Sequence, residues 1–109
     1  MSTLIVNFDN EEFSGLQENT SLLEDLILTS AQILNKKPSE IIVNFQPFSK
    51  QNMINSPALL IRAETSVSRS HLIKNWANEL LAAIKRNVKK GNTKIAVKTY
   101  VLESEWVET

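Results

Sequence analysis

The order strand, helix, strand occurs twice along this chain. Alternating apolar residues predict strands over 3–8, 40–46, 58–64 and 94–102, and apolar residues at helical spacing predict helices over 21–35 and 69–89. Equivalent strands begin 37 residues apart in the first half and 36 residues apart in the second. Two βαβ units of nearly equal length predict one α+β domain, 1–109, built as a two-layer sandwich of helices on a sheet.

Composition excludes several classes of function. The 12 basic and 12 acidic side chains cancel, so no global field favours nucleic acid or an anionic membrane. The absence of cysteine excludes disulfides, thiolate metal sites and a cysteine nucleophile. No apolar run approaches the roughly 20 residues that cross a bilayer, and the N-terminus lacks signal-peptide features. We expect a cytoplasmic protein with no cofactor, no metal, and no nucleic-acid or membrane partner.

Each predicted strand has one apolar face, which we expect to cover the helices, and one mixed face. The mixed face combines apolar residues such as Ile5 and Leu60 with polar and charged residues. A sheet face in water is usually more polar, so we infer that this face is buried against another subunit. Its polar and charged members are Asn7, Asn44, Gln46, Arg62, Glu64, Lys98 and Tyr100.

One fold that fits this order of elements is the ferredoxin-like sandwich, which also runs βαββαβ. Its RNA-binding version needs aromatic side chains on the open sheet face, because those rings stack on bases. The mixed face of this chain offers only Tyr100, and the net charge is zero. The ferredoxin-like fold is therefore an alternative without an RNA partner.

Two stretches of the chain resemble the tautomerase superfamily, to which macrophage migration inhibitory factor (MIF) belongs. Residues 1–7, MSTLIVN, resemble its short N-terminal strand, and residues 31–43, AQILNKKPSEIIV, resemble the turn in which Lys-Pro leads into its second strand. The chain is similar to small bacterial members of about this length. The resemblance implies a tautomerase (MIF)-like fold and a homotrimer, in which subunit contacts would cover the mixed face.

The resemblance also implies where the catalytic group would stand. In the superfamily it is the amine of an N-terminal proline, which moves a proton between carbon and oxygen of a keto or enol acid. In this chain Ser2 stands there instead. After removal of Met1, a free Ser2 amine with a reference pKa of about 7.7–8.0 would still be a weak base for keto–enol tautomerisation of a small carboxylate-bearing substrate.

Because the proline is missing, an alternative stays open. In this alternative Ser2 has no catalytic role and is only a small second residue, and the chain is a non-catalytic structural or protein-interaction module of the same fold. Whether the protein is an isomerase stays undecided at the level of sequence.

Four residues are candidates for holding a substrate carboxylate. The resemblance assigns this role to Lys37 at the Lys-Pro turn, although a solvated lysine also suits a helix C-terminus. Arg62 and Lys98 are predicted mid-strand cations, which are costly unless paired or functional, and Arg62 could instead pair with Glu64. Tyr100 on the same face could donate a hydrogen bond or pack in an interface.

Local signals predict how the elements end. Ser21 followed by Glu24 resembles a capping box that opens the first helix, and Pro38 ends it. Residues 103–109 form an acidic tail, in which Trp106 is predicted to fill a groove on a neighbouring subunit.

Overall fold

A computed structural model of the chain describes residues 2–89 and 93–102, which form four strands and two α-helices in two layers. The elements are β1 (Ser2–Asp9), α1 (Thr20–Leu34), β2 (Ile41–Phe48), β3 (Leu59–Ser66), α2 (Ile73–Asn87) and β4 (Ile95–Leu102). Short 3₁₀ helices precede α1, β2 and α2, at Leu16–Glu18, Pro38–Glu40 and Val67–Leu72. The predicted contact of Trp106 lies outside the described residues.

The four strands form one sheet in the order β2-β1-β3-β4. β1 and β2 are parallel, as are β3 and β4, while the central pair β1 and β3 is antiparallel. Each parallel pair needs a crossover, which α1 and α2 supply. The two predicted βαβ units are therefore confirmed. The ferredoxin-like alternative is wrong, because its split βαβ unit would place a third strand between β1 and β2.

The strand register gives the sheet two distinct ends. Ser2 lies opposite Ile41, and Thr3 lies opposite Glu64, so β1 and β2 start where β3 finishes. Asp9 lies at the other end, opposite Phe48. Because a strand rises about 3.3 Å per residue, these two ends are roughly 23 Å apart. We call them the Ser2 end and the Asp9 end.

The inner face of the sheet and the facing sides of both helices make one hydrophobic core. Leu4, Val6 and Phe8 alternate along β1 and are fully buried. The ring of Phe8 meets that of Phe45 edge to face, with centroids 6.3 Å apart and planes at 76°. Other fully buried members are Leu22, Leu26, Leu34, Leu59, Ile61, Ala63, Trp76, Leu80, Ala83 and Ile84. The predicted apolar faces are those that cover the helices.

The N-cap of the first helix lies two residues before Ser21, the N-cap that the capping signal predicts. Asn19 is the N-cap, and its side-chain oxygen accepts a hydrogen bond from the backbone N–H of Leu22 at 3.0 Å. The predicted capping box of Ser21 and Glu24 is therefore wrong, because both residues already lie inside α1 (Thr20–Leu34).

The second predicted helix, 69–89, is divided in the structure. A 3₁₀ helix, Val67–Leu72, comes first, and α2 follows as Ile73–Asn87. Arg69 in the 3₁₀ helix donates from Nε to the carbonyl oxygen of Leu34 at 2.8 Å and thereby closes the C-terminal end of α1. Neither helix among the described residues is long and apolar enough to cross a bilayer.

A hydrogen-bonded ion pair joins the two helices at their outer side. Arg86 on α2 donates from Nε and Nη2 to the two carboxylate oxygens of Asp25 on α1, at 3.0 and 2.9 Å. Asn87 and Thr29 also donate to this carboxylate, at 2.7 and 3.0 Å. The hydrogen bond from Arg86 is the main cause that holds the pKa of Asp25 below its usual value.

Replacing Asp25 with asparagine should lower the Tm at pH 7 by roughly 5 °C, a modest effect because Arg86 is half exposed and water screens the pair. Because the pKa of Asp25 is lower in the folded than in the unfolded chain, its ionised carboxylate stabilises the fold at pH values above the unfolded pKa of about 3.9. This stabilisation is lost as the pH falls through the folded-state pKa. The Tm difference between wild type and Asp25→Asn should therefore shrink below about pH 4. Calorimetry checks this, with exposed Glu24→Gln as the matched charge control; a pH-independent difference would contradict it.

Candidate functional site

Ser2 opens β1, one of the two central strands, and is fully buried. Its side chain points into the helix layer, where its hydroxyl and that of Thr65 form a hydrogen bond at 2.9 Å. Thr65 is also fully buried, so each hydroxyl supplies the other with a partner that water cannot replace. This bond fixes the start of β1 against the end of β3.

Lys37 lies at the same end of the sheet as Ser2. It precedes the 3₁₀ helix Pro38–Glu40, which leads directly into β2, and its backbone N–H donates to Oε1 of Glu40 at 3.4 Å. Because β2 begins opposite Ser2, the turn places Lys37 beside the Ser2 end, with its side chain exposed.

Arg62 lies on the outer face of β3 in a row of hydrogen bonds that crosses three strands. Its Nε donates to Oδ1 of Asn7 on β1 at 3.2 Å, and Nδ2 of Asn7 donates to Oε1 of Gln46 on β2 at 3.2 Å. The expected alternative, an ion pair between Arg62 and Glu64, does not form. Arg62 is thus positioned by a neutral amide and keeps its charge uncompensated by Glu64.

Lys98 and Tyr100 lie beside Arg62 on the outer face of β4. Lys98 is directly opposite Arg62 in the β3/β4 register, and its Nζ lies 5.3 Å from the centroid of the Tyr100 ring. Like charges placed opposite each other destabilise a strand pair. Within residues 2–89 and 93–102 neither cation forms an ion pair with an acidic side chain. Arg62 and Lys98 therefore place two positive charges side by side on this face.

One chain does not bring all five candidates together. Arg62, Lys98 and Tyr100 share the outer face of β3 and β4, whereas Lys37 precedes β2, the strand at the opposite edge of the sheet from β4. The side chain of Ser2 faces the helices on the other side of the sheet. In the described part of the chain, no three Asp, Glu or His side chains converge to hold a metal ion.

Two features of the structure were missed by sequence reasoning. The predicted strand 58–64 stops before Thr65, the partner of Ser2, although the alternation of Leu59, Ile61 and Ala63 could have been extended by one step. A cleft of about 550 Å³ at the Asp9 end also lies away from all five candidates. It forms around Asp9, which lies one residue beyond the predicted strand 3–8 although it is buried in β1.

Comparisons with known proteins identify the fold. No protein-family model matches the sequence, and no curated protein matches it significantly. A solved structure described as a fused 4-OT wild-type symmetric trimer has a TM-score of 0.72 at 14% identity, covering 92% of this chain and 85% of that one. Macrophage migration inhibitory factor of Toxoplasma gondii has a TM-score of 0.66 at 17% identity, covering 97% and 95%.

Malonate semialdehyde decarboxylase is a third similar structure, with a TM-score of 0.72 at 10% identity, covering 96% of this chain and 88% of that one. At such low identities a likeness establishes the fold and leaves the activity open. All three structures belong to the superfamily that residues 1–7 and 31–43 resemble, so the predicted resemblance is confirmed. The chain has the fold of the tautomerase superfamily.

Proposed function

We propose that this single-domain chain is a tautomerase-like protein that assembles as a homotrimer, with pockets at the subunit boundaries. The outer sheet face supports assembly, because Ile42 and Leu102 on it are each 44% exposed in the isolated chain. Burial against a second subunit would remove this apolar surface from water. Two similar solved structures, both fused 4-OT proteins, are described as trimers, one symmetric and one asymmetric.

In this assembly the amine of Ser2, once Met1 has been removed, is the base that moves a proton in a small keto or enol acid. The observation that carries this role is the place of Ser2, a buried residue at the start of β1 whose hydroxyl is held by Thr65. A primary α-amine has a reference pKa of about 7.7–8.0, so a useful fraction is neutral near pH 7. Lys37 or Arg62 holds the substrate carboxylate, and Lys98 and Tyr100 complete the anion-binding surface.

A second candidate is a non-catalytic module of the same fold, which acts as a structural or protein-interaction unit. It is favoured by the hydrogen bond between Ser2 and Thr65, which gives residue 2 a purely structural use. The two candidates share the trimer and differ only in whether the N-terminal amine reacts.

An assay of enol-to-keto conversion separates them. With phenylpyruvate or hydroxyphenylpyruvate enol, the chain lacking Met1 should convert substrate at least about 100-fold faster than buffer, the usual scale of general-base catalysis. The same chain with Met1 retained, verified by intact mass, is the matched control and should be inactive. Ser2→Pro should raise the rate by about tenfold or more, because it restores the secondary amine of the superfamily. Equal rates with and without Met1 would exclude the amine as base.

Inactivity of both wild-type forms, with activity gained in Ser2→Pro, would support the non-catalytic candidate instead.

Arg62→Gln in the active form should raise KM by about tenfold with little change in kcat, if Arg62 holds the carboxylate equally in substrate and transition state. An unchanged KM would remove Arg62 from the site and leave Lys37 as the anion-binding residue to test.

A further inference from the structure

The cleft at the Asp9 end is separate from the candidate site described above. It has a volume of about 550 Å³, in the range of small-molecule sites, and lies between the end of β1, the loop after β2 and the start of β4. Ser2 is roughly 23 Å away along β1. An inference from this cleft therefore stands independently of the proposed function.

Asp9 is the most deeply buried polar residue of the cleft, being only 1% exposed. Its backbone is fixed on both sides, because its N–H donates to the carbonyl of Ala58 at 2.8 Å and its own carbonyl accepts from Phe13 N–H at 2.9 Å. The carboxylate oxygen Oδ1 accepts from the backbone N–H of Glu11 at 3.0 Å. This hydrogen bond and the burial of the side chain position the carboxylate at the bottom of the cleft.

The second oxygen of this carboxylate, Oδ2, is buried and accepts no hydrogen bond from the described residues. Lys50 Nζ lies 3.6 Å from it and 3.5 Å from Oε1 of Glu12. These two acids, Asp9 first, raise the pKa of the Lys50 ammonium above its usual value. At 3.6 Å the ammonium compensates the charge of Asp9 without making a hydrogen bond. A buried acceptor left in this state is costly and calls for a donor.

Lys50 is poorly suited to be the permanent partner of that oxygen. Its side chain is 66% exposed, so holding it over Asp9 costs rotamer entropy and gains little in water. The walls beside it are apolar, formed by Phe48, Met53 and Ile54, and the side chain of Ile54 is 78% exposed. The cleft therefore combines a fixed anionic acceptor with an apolar surface that has no partner among the described residues.

We propose that this cleft binds a small organic ammonium compound, whose N–H groups donate to Oδ2 of Asp9 and whose apolar body packs on Phe48, Met53 and Ile54. The ligand ammonium replaces that of Lys50, which turns out into water. Glu12 adds a second negative charge at the same place, and its Oε2 already accepts from Thr93 Oγ1 at 3.2 Å. Lys94 also lines the cleft, but its side chain is exposed and forms no ion pair with Asp9. An anionic ligand would therefore still meet the buried Asp9 carboxylate, and a neutral one would leave that carboxylate without the charge of Lys50 once Lys50 is displaced.

Three probes of the same shape test the chemistry, namely benzylamine, benzyl alcohol and phenylacetate. In NMR titrations of the full chain, benzylamine should shift the amide signals of Asp9, Glu11 and Met53 saturably. Benzyl alcohol and phenylacetate should bind at least about tenfold more weakly, which corresponds to about 1.4 kcal/mol. Equal binding of all three probes, no saturable shift up to about 10 mM benzylamine, or shifts confined to the Ser2 end would overturn the proposal.

Variants then test the two charged groups. Asp9→Asn keeps the shape of the side chain and should weaken benzylamine binding about tenfold or more. Lys50→Met removes the competing ammonium and should tighten binding severalfold, while Lys74→Met on exposed α2 is the matched lysine control and should change nothing. If Asp9→Asn does not fold, the binding of benzylamine to Lys50→Met and the comparison of the three probes still test the proposal. Unchanged binding in a folded Asp9→Asn, or weaker binding in Lys50→Met, would contradict the proposal.

Discussion

Replacing Trp76 with alanine should lower the free energy of unfolding by about 3–5 kcal/mol, the scale of deleting a large buried aromatic side chain. Among residues 2–89 and 93–102, Trp76 is the largest fully buried side chain, and it lies on α2 at the contact with α1. Its indole Nε1 donates to Oγ of Ser30 at 2.9 Å, and Ser30 is also fully buried. The substitution therefore removes apolar volume and a buried polar contact together. Urea denaturation followed by far-UV circular dichroism gives the free energy.

A pair of smaller changes separates the two contributions of Trp76. Ser30→Ala leaves the indole N–H buried without its partner and should cost about 1–2 kcal/mol. Trp76→Phe removes the same hydrogen bond and part of the volume, so the double variant with Ser30→Ala should be less destabilised than the sum of the two single variants. Strict additivity, or a loss below about 1 kcal/mol in Trp76→Ala, would contradict this description of the core.

Replacing Leu60 with glutamate should convert a trimer into monomers. Leu60 lies on the outer face of the inner strand β3, opposite Asn7 of β1 and Ala96 of β4, on the face that we propose is buried between subunits. An unpaired carboxylate placed in an apolar interface costs several kcal/mol, which is enough to dissociate a small assembly. Sedimentation equilibrium should give the mass of one chain, 12.3 kDa, with unchanged helix content.

The matched control for this change is Leu28→Glu. Leu28 is 59% exposed on α1, so it carries the same substitution on the helix layer, away from the outer sheet face. We expect Leu28→Glu to sediment like the wild type. If Leu60→Glu kept a trimer mass, or if both variants dissociated alike, the outer sheet face would not be the interface.

The architecture could be predicted because it depends on periodic burial. Leu4, Val6 and Phe8 alternate with half-buried Ile5 and Asn7, so the chain itself records which face of β1 meets the helices. The pairing of β1 with β2 could not be read from this pattern, since the ferredoxin-like fold uses the same order of elements. Strand order depends on contacts between residues far apart in sequence, and the resemblance of residues 31–43 supplied that information.

The polar details could not be predicted, because they depend on distances across the fold. Asp9 looks like the start of a polar loop, yet β1 continues through it and buries its side chain. Lys50 looks like an ordinary loop lysine until the loop after β2 returns it to within 3.6 Å of Asp9. The bond of Ser2 to Thr65 joins residues 63 positions apart. Such partners carry no local signal, so the cleft appears only in three dimensions.

Arg62 illustrates an intermediate case. Its mid-strand position correctly indicated that the side chain has a specific partner. The partner expected from the spacing is Glu64, but the side chain contacts Asn7. Residues two apart on a strand share a face, and this made the ion pair plausible. The neighbouring strand β1 instead places Asn7 within hydrogen-bond distance of Arg62. The guanidinium donates to this neutral amide rather than to Glu64, so its positive charge is not neutralised.

The mass of the wild-type chain in solution is the most direct measurement of the central proposal, a tautomerase-like homotrimer. Sedimentation equilibrium over a wide concentration range should give about 37 kDa, three times the 12.3 kDa of one chain. The subunit boundaries that hold the proposed pockets exist only in that assembly. A strict monomer of 12.3 kDa at every concentration would contradict the proposal, since Ser2, Lys37 and Arg62 are not brought into one pocket by a single chain.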